Sequence, residues 1–484
     1  MNHTPLQLQM IAEHEALLAA NPSALLQLPS IKDYMLACEY ELILYMNEQG
    51  VWQGTMPPPP PNFQTGDGAI EFGLFLYWFN NPDLLNSLEI GLIAIVLDQV
   101  LKLPESQMTS DNYTYLCVNE LIYVDGSVLS TETWATFDQG WFTAFVNLLE
   151  TLLRSTWYNN GVFPMSSPPK PVALSGAIAN TVNIAIVGDW GNGDAAASSV
   201  MQQIVALNPK PDYIIHLGDV YYGGTPAQGD PNSAHYYSLN EEPTNLVGAW
   251  PEAYAGKSFT LNSNHEMYSG ANGLFYDALL PASSPFSAQG GLSCFILQYG
   301  GWTILGLDSA YNGTSADAFM SGYLGSAQTA WIKSLNLDPA KTIVLTHHTG
   351  FAYDCSSVFS LWSQVNAALG GKDPYAWYWG HAHNGIVYNN PVTIPVPGQP
   401  AFRTNTYARC AGHGALPYGV ATTLPNNSNV LWQANSPIAS SKQIYNGFVL
   451  LTLQSSNNQV TGISESYFDP SSAQPKWKLK IVGS

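Results

Sequence analysis

Positive charge is what this 484-residue chain has least of: 15 Lys and Arg stand against 35 Asp and Glu, a formal net charge of −20. The deficit is steepest early, with 4 against 18 in residues 1–175 and 11 against 17 in residues 176–484. A surface that binds a phosphate backbone needs clustered Lys and Arg, so neither half reads as a nucleic-acid binder. The one dense basic stretch, Lys476, Lys478 and Lys480, has the alternate spacing of one face of an edge strand, where lysines block edge-to-edge pairing. Cysteine is sparse too. Cys38, Cys117, Cys294, Cys355 and Cys410 are scattered with no C-x-x-C pair, which excludes a disulfide framework or zinc knuckle and predicts reduced, buried thiols. Long apolar runs are missing: the most apolar segment, from Leu84, is interrupted by Glu89 and Asp98, too soon to span a bilayer. The N-terminus lacks the basic start and apolar run of a signal peptide, so no membrane partner and a cytoplasmic location are expected.

What is present suffices for a large core. Hydrophobic residues make up 46% of the chain and charged residues only 10%, well under the usual quarter, which predicts a globular protein of two or three domains. Residues 5 to about 160 carry apolar residues at three- and four-residue spacing, as in IKDYMLACEYELILYMNEQG and WATFDQGWFTAFVNLLETLLRS, and predict a bundle-like helical domain over 1–175. The five prolines Pro57 to Pro61 mark a long loop within it. Pro and Ser gather again at 165–177, and the character then changes to short β-branched runs: VNIAIVG, YIIHLG, SFTLN, WTILGLD, TIVLTHH and, later, GFVLLTLQ. Such runs predict strands buried on both faces within a second domain over 176–484.

Four of the earlier runs, and the apolar AWYW after them, end in polar residues of metal-ligand type. VGDWG ends at 191, LGDVYY at 222, NSNHE at 266, THH at 348 and WGHAHN at 384. One Gly-Asp after a strand is more often a turn than a ligand. Five such ends in one half of the chain, holding His265, His347, His381 and His383, point to a shared site at the ends of the strands.

These segments resemble the calcineurin-like metallophosphoesterase superfamily over roughly residues 180–420, and GDWG with GDVYY is most similar to its purple acid phosphatase branch. The resemblance implies an α/β (α+β) fold, a four-layer αββα sandwich of two mixed sheets, to which the N-terminal all-helical domain is added. It implies two metal ions bridged by an aspartate and a solvent-derived hydroxide. Asp189 would bind the first metal, Asp219 both, Asn264, His347 and His381 the second, and His383 the first. The branch places a tyrosine three residues after the bridging aspartate, which makes Tyr222 the candidate ligand and Tyr221 a packing aromatic. A phenolate ligand calls for ferric iron beside Fe2+, Zn2+ or Mn2+. Two positions depart from the pattern: Gly191 stands where most members have a histidine, leaving room for the tyrosine, and Ser263 replaces a glycine.

The expected reaction is hydrolysis of a small-molecule phosphate ester, a monoester first, with a diesterase and a non-catalytic scaffold as alternatives. His265 is the expected leaving-group acid and His348 the runner-up. Arg403 and His413 are candidate phosphate contacts, as is Arg409, for which pairing with a carboxylate is at least as good a reading. His216 reads as a satisfied core histidine and His235 as solvated. Rival signals fail: AGKSF has Pro251 where a phosphate-binding loop needs glycine, and no G-x-S-x-G elbow occurs. The acidic N-terminal domain is expected to cap the cleft or to form an oligomer contact; the oligomeric state is left open.

Overall fold

The computed structural model describes residues 167–227, 240–313, 319–416, 424, 426–438 and 444–482, with a short hairpin of β1 (Tyr123–Val124) and β2 (Ser127–Val128). The chain divides into two compact units, Met1–Trp157 with Ser315–Ala318, and Tyr158–Thr314 with Phe319–Ser484. The helical pattern expected over 1–175 lies, apart from that hairpin and residues 167–175, outside the described residues, as does His235.

The second unit begins with β3 (Val172–Ala173), β4 (Thr181–Val187), α1 (Ala195–Ala206), β5 (Tyr213–His216), β6 (Ser258–Thr260) and α2 (Asn264–Tyr268). There follow β7 (Phe295–Tyr299), β8 (Trp302–Gly306), α3 (Ser326–Ser334), β9 (Thr342–Thr346), α4 (Ser360–Ala368), β10 (Ala376–Trp379) and β11 (Gly385–Tyr388). The remaining strands are β12 (Val392–Ile394), β13 (Phe402–Thr404), β14 (Tyr407–Ala411), β15 (Val430–Gln433), β16 (Phe448–Ser456), β17 (Gln459–Phe468) and β18 (Trp477–Val482). The strands predicted from the β-branched runs are thus β4, β5, β6, β8, β9 and β16.

Two mixed sheets form the frame, one ordered β18-β17-β16-β4-β5-β6 and the other β15-β11-β14-β10-β9-β8-β7-β3. Their facing sides share one core, in which Ile184, Ile186, Ile215 and Leu451 of the first meet Leu297, Ile304, Leu345 and Tyr378 of the second. On the other face of the larger sheet α3 and α4 bury Trp331, Ile332, Trp362 and Val365 against Ile296, Val344 and Trp377. Burial on both faces is why β4, β5, β8 and β9 read as unbroken apolar runs rather than as alternation. β18 lies at an edge, with Lys478 and Lys480 exposed, as their spacing predicts. Cys294, Cys355 and Cys410 are free and buried. No helix among the described residues is long and apolar enough to cross a membrane.

Strands β4, β5 and β6 are parallel neighbours, and so are β8, β9, β10 and β14. In each sheet the C-terminal strand ends therefore lie along one edge. The residues just past those ends make the site.

Candidate metal centre

Asp189 follows β4, Asp219 follows β5, Asn264 follows β6, His347 follows β9, and His381 and His383 follow β10. Side chains far apart in sequence converge because each strand stops at the same edge. The turns that aim them are tight: φ is +58° at Asp189, +77° at Asp219, +64° at His381 and +46° at His383. Non-glycine residues occupy this region at a cost, and a cluster of them is typical of functional sites. Gly218 (φ +95°) permits the approach, since a Cβ there would lie 2.9 Å from Ser263 Cβ and 3.0 Å from His347 Nδ1.

The donor atoms form two groups. In the first, Tyr221 Oη donates to Asp219 Oδ2 at 2.8 Å and lies 3.0 Å from His383 Nε2 and 3.5 Å from Asp189 Oδ1; His383 Nε2 is 3.3 Å from Asp189 Oδ1. In the second, His347 Nε2 lies 3.2 Å from Asp219 Oδ1, 2.9 Å from Asn264 Oδ1 and 3.2 Å from His381 Nδ1, itself 3.1 Å from Asn264 Oδ1. Asp219 gives one oxygen to each group. Ligands about 2.1 Å from a common ion stand roughly 3.0–3.4 Å apart, the edges of an octahedron or tetrahedron. The observed separations fit two ions sharing one carboxylate, and Asp219 Oδ1, buried with no hydrogen-bond partner, is the kind of atom a cation satisfies.

The electrostatics agree. Burial, above all, drives His347 down to about 3 and His381 well below its ordinary value, so these imidazoles are neutral and keep a lone pair. His347 Nδ1 donates to the Leu217 carbonyl at 2.9 Å, which turns Nε2 toward the site. His383 shows the opposite response. Burial works against its charge, yet hydrogen bonds to Asp189 and Asp219 and their negative charge raise it to about 10. Asp189 is pushed up by burial and by Asp219, whereas Asp219 is held low against burial by His347, His265 and His383. Two adjacent buried carboxylates demand positive charge, which a bound cation would supply in place of the His383 proton.

Several expectations are corrected. Tyr221, not Tyr222, carries its hydroxyl to the carboxylates; the Tyr222 ring is centred 6.4 Å away at 80° to it, and its carbonyl accepts from His265 Nδ1 at 2.6 Å. Alternate residues of the turn face opposite ways, and counting from Asp219 cannot show which one faces in. His348 is adjacent but committed, since Nε2 donates to the Phe319 carbonyl at 2.7 Å and Nδ1 accepts from Ser309 Oγ at 2.9 Å. Burial lowers it to about 3, which favours the neutral ring. Arg403 is exposed on β13, before β14 begins, whereas the site lies past the strand's other end. His413 follows β14, but its ring packs on Gly385, Gly447 and Tyr467, and burial lowers it to about 4. Arg409 is paired with Glu465 (Nη2–Oε1 2.5 Å), and His216 is a core histidine bonded to Thr260 Oγ1 at 3.0 Å.

The two departures from the family pattern have local reasons. Gly191 donates to the Asp219 carbonyl and accepts from Tyr221 N, and a Cβ there would meet the Asp219 carbonyl oxygen at 2.9 Å, so no histidine fits. Ser263 sits at φ −136°, where glycine is not needed, and caps α2: its hydroxyl accepts from His265 N at 3.0 Å and bonds Glu266 Oε2. The Ser-x-x-Glu spacing of SNHE is that of a capping box, a signal for this helix start carried by the sequence itself.

A parallel-sheet edge carrying carboxylates, imidazoles and an amide in two groups is an arrangement that could hold metal ions. Residues 182–385 match the calcineurin-like phosphoesterase family, and that segment belongs to it. No curated protein matches the chain. Among solved structures it is similar to GAP50, the anchor in the inner membrane complex of Plasmodium, at 13% identity, covering 63% of this chain and 89% of that one with a TM-score of 0.41. It is also similar to the purple acid phosphatase PPD1 from yellow lupin (Lupinus luteus) seeds, at 15% identity and a TM-score of 0.34, covering 63% of this chain and 55% of that one.

Proposed function

We propose that the protein is a phosphomonoester hydrolase with a dinuclear metal centre, the first ion held by Asp189, Tyr221 and His383, the second by Asn264, His347 and His381, and both by Asp219. The observation that carries this reading is the division of the donors into two groups about Asp219. The donor set combines hard carboxylate and phenol oxygens with imidazole nitrogen, which suits iron, zinc or manganese, and the phenol favours ferric iron on its side. When bound, the ions would neutralise the phosphate oxygens and lower the pKa of water toward neutrality.

The chain's own residues supply the rest. The turns at Asp189, Asp219, His381 and His383 aim the donors at the site, and donors preset in this way need little reorganisation during the reaction. His265 is the proton carrier. Its Nδ1–H is held by the Tyr222 carbonyl, and its Nε2 lies 4.0 Å from Asp219 Oδ2, where it would hold or deliver a proton to the leaving oxygen.

The test is hydrolysis of matched aryl phosphate monoesters and diesters by protein loaded separately with iron, zinc and manganese, with Asp219→Asn as the blank. Faster monoester turnover that Asp219→Asn lowers at least a hundredfold supports the proposal. Faster diester turnover makes the protein a diesterase, and no turnover with any metal favours a scaffold.

A further inference from the structure

We propose that Glu241 is the positioning residue that selects Tyr221 rather than Tyr222 for the centre; the inference rests on the metal-centre reading only for Tyr221's role as a ligand. Glu241 is 8% exposed and lies twenty residues beyond Tyr221. Its Oε1 accepts from Tyr222 N at 2.7 Å, and its Oε2 accepts from Gly223 N at 3.0 Å, Thr225 N at 3.2 Å and Thr225 Oγ1 at 3.0 Å. A single carboxylate thus gathers the amides of Tyr222, Gly223 and Thr225, while Gly224 N donates to the Val220 carbonyl. Hydrogen bonds to an ionised acceptor are roughly twice as strong as neutral ones.

The turn is tied down on its other side as well. Gly191 O accepts from Tyr221 N, Asn245 Nδ2 donates to the Tyr221 carbonyl at 3.0 Å, and His265 Nδ1 donates to the Tyr222 carbonyl. With the Tyr222 and Gly223 amides drawn to Glu241 and the two carbonyls drawn elsewhere, the peptide planes on either side of Tyr222 are fixed. That leaves the Tyr221 ring facing Asp219 and His383, with Tyr222 turned from it. Glutamine cannot replace this acceptor pair, because its NH2 would face a backbone N–H at one of the two positions.

The experiment uses the full chain labelled with 3-fluorotyrosine, without added metal and then with iron alone. The 19F resonance missing in Tyr221→Phe is that of Tyr221. Glu241→Ala and the milder Glu241→Gln are expected to move that resonance while most others stay, and to speed amide exchange in a peptide covering 219–227 at least tenfold. In the iron-loaded protein the visible tyrosine-to-iron band is expected to be lost in Tyr221→Phe, kept in Tyr222→Phe and weakened severalfold in Glu241→Ala. An unmoved Tyr221 resonance in both Glu241 variants overturns the proposal, and so does faster exchange with that resonance and the band unchanged. If the wild type shows no iron band but the resonance moves, the positioning role stands and the metal reading falls.

Discussion

His265 and His348 flank the same cluster and differ in what their ring nitrogens face. His348 bonds Ser309 and the Phe319 carbonyl, whereas His265 bonds the Tyr222 carbonyl through Nδ1 and has Nε2 4.0 Å from Asp219 Oδ2. His265→Ala should therefore lower kcat about 10²–10³-fold on an alkyl phosphate, whose leaving group needs a proton, and much less on 4-nitrophenyl phosphate. His348→Ala should lower both rates together, by packing alone. Steady-state rates on the two esters separate the cases: equal losses in His265→Ala would remove it as the acid.

The element that presents Asn264 is short and needs its cap. Removing the Ser263 hydroxyl frees His265 N and one bond to Glu266, so Ser263→Ala should cost about 1 kcal/mol in denaturant unfolding, and Ser263→Gly only a few tenths more than the wild type. At the π-helical turn Glu242–Val247, Glu242 is fully buried with neither carboxyl oxygen bonded. Burial first, then Glu266, Asp277 and Glu241, raise its pKa well above the ordinary value. At low pH both folded and unfolded chains hold this proton, and as pH rises the unfolded chain ionises first, which costs the folded state stability. Glu242→Gln should accordingly raise Tm at pH 8, by an amount on the order of 1–3 kcal/mol of stability, and leave it unchanged at pH 4. Thermal melts across that range decide it; an equal Tm at both pH values would show Glu242 to be satisfied.

Across the whole unit, the two sheets are joined by an apolar core that also holds a buried ion pair. Arg409 on β14 meets Glu465 on β17, and Tyr378 Oη donates to Glu465 Oε2 at 2.7 Å. Such a pair contributes little over a well-packed apolar replacement, yet breaking it strands a charge. Glu465→Leu alone should cost about 3–5 kcal/mol, and Arg409→Met with Glu465→Leu should recover most of it. Urea unfolding of the single and double variants measures the difference; a double variant as unstable as the single would mean the charges themselves hold the sheets in register.

Strand content and the ligand types at strand ends were legible in the sequence, because burial on both faces writes itself as unbroken β-branched runs and metal chemistry demands Asp, Asn and His. The edge strand with its lysines was legible for the same local reason. The orientation of neighbouring side chains was not. Whether Tyr221 or Tyr222 faces the carboxylates, whether His348 is free, and whether Arg409 meets a substrate or Glu465 depend on groups 19 to 56 residues away, Glu241 on the tyrosine turn, Phe319 on His348 and Glu465 on Arg409. The sequence determined which chemistry could be assembled, and the tertiary structure decided which side chains perform it, because a hydrogen bond made across the fold sets a side chain's direction and spacing along the chain does not.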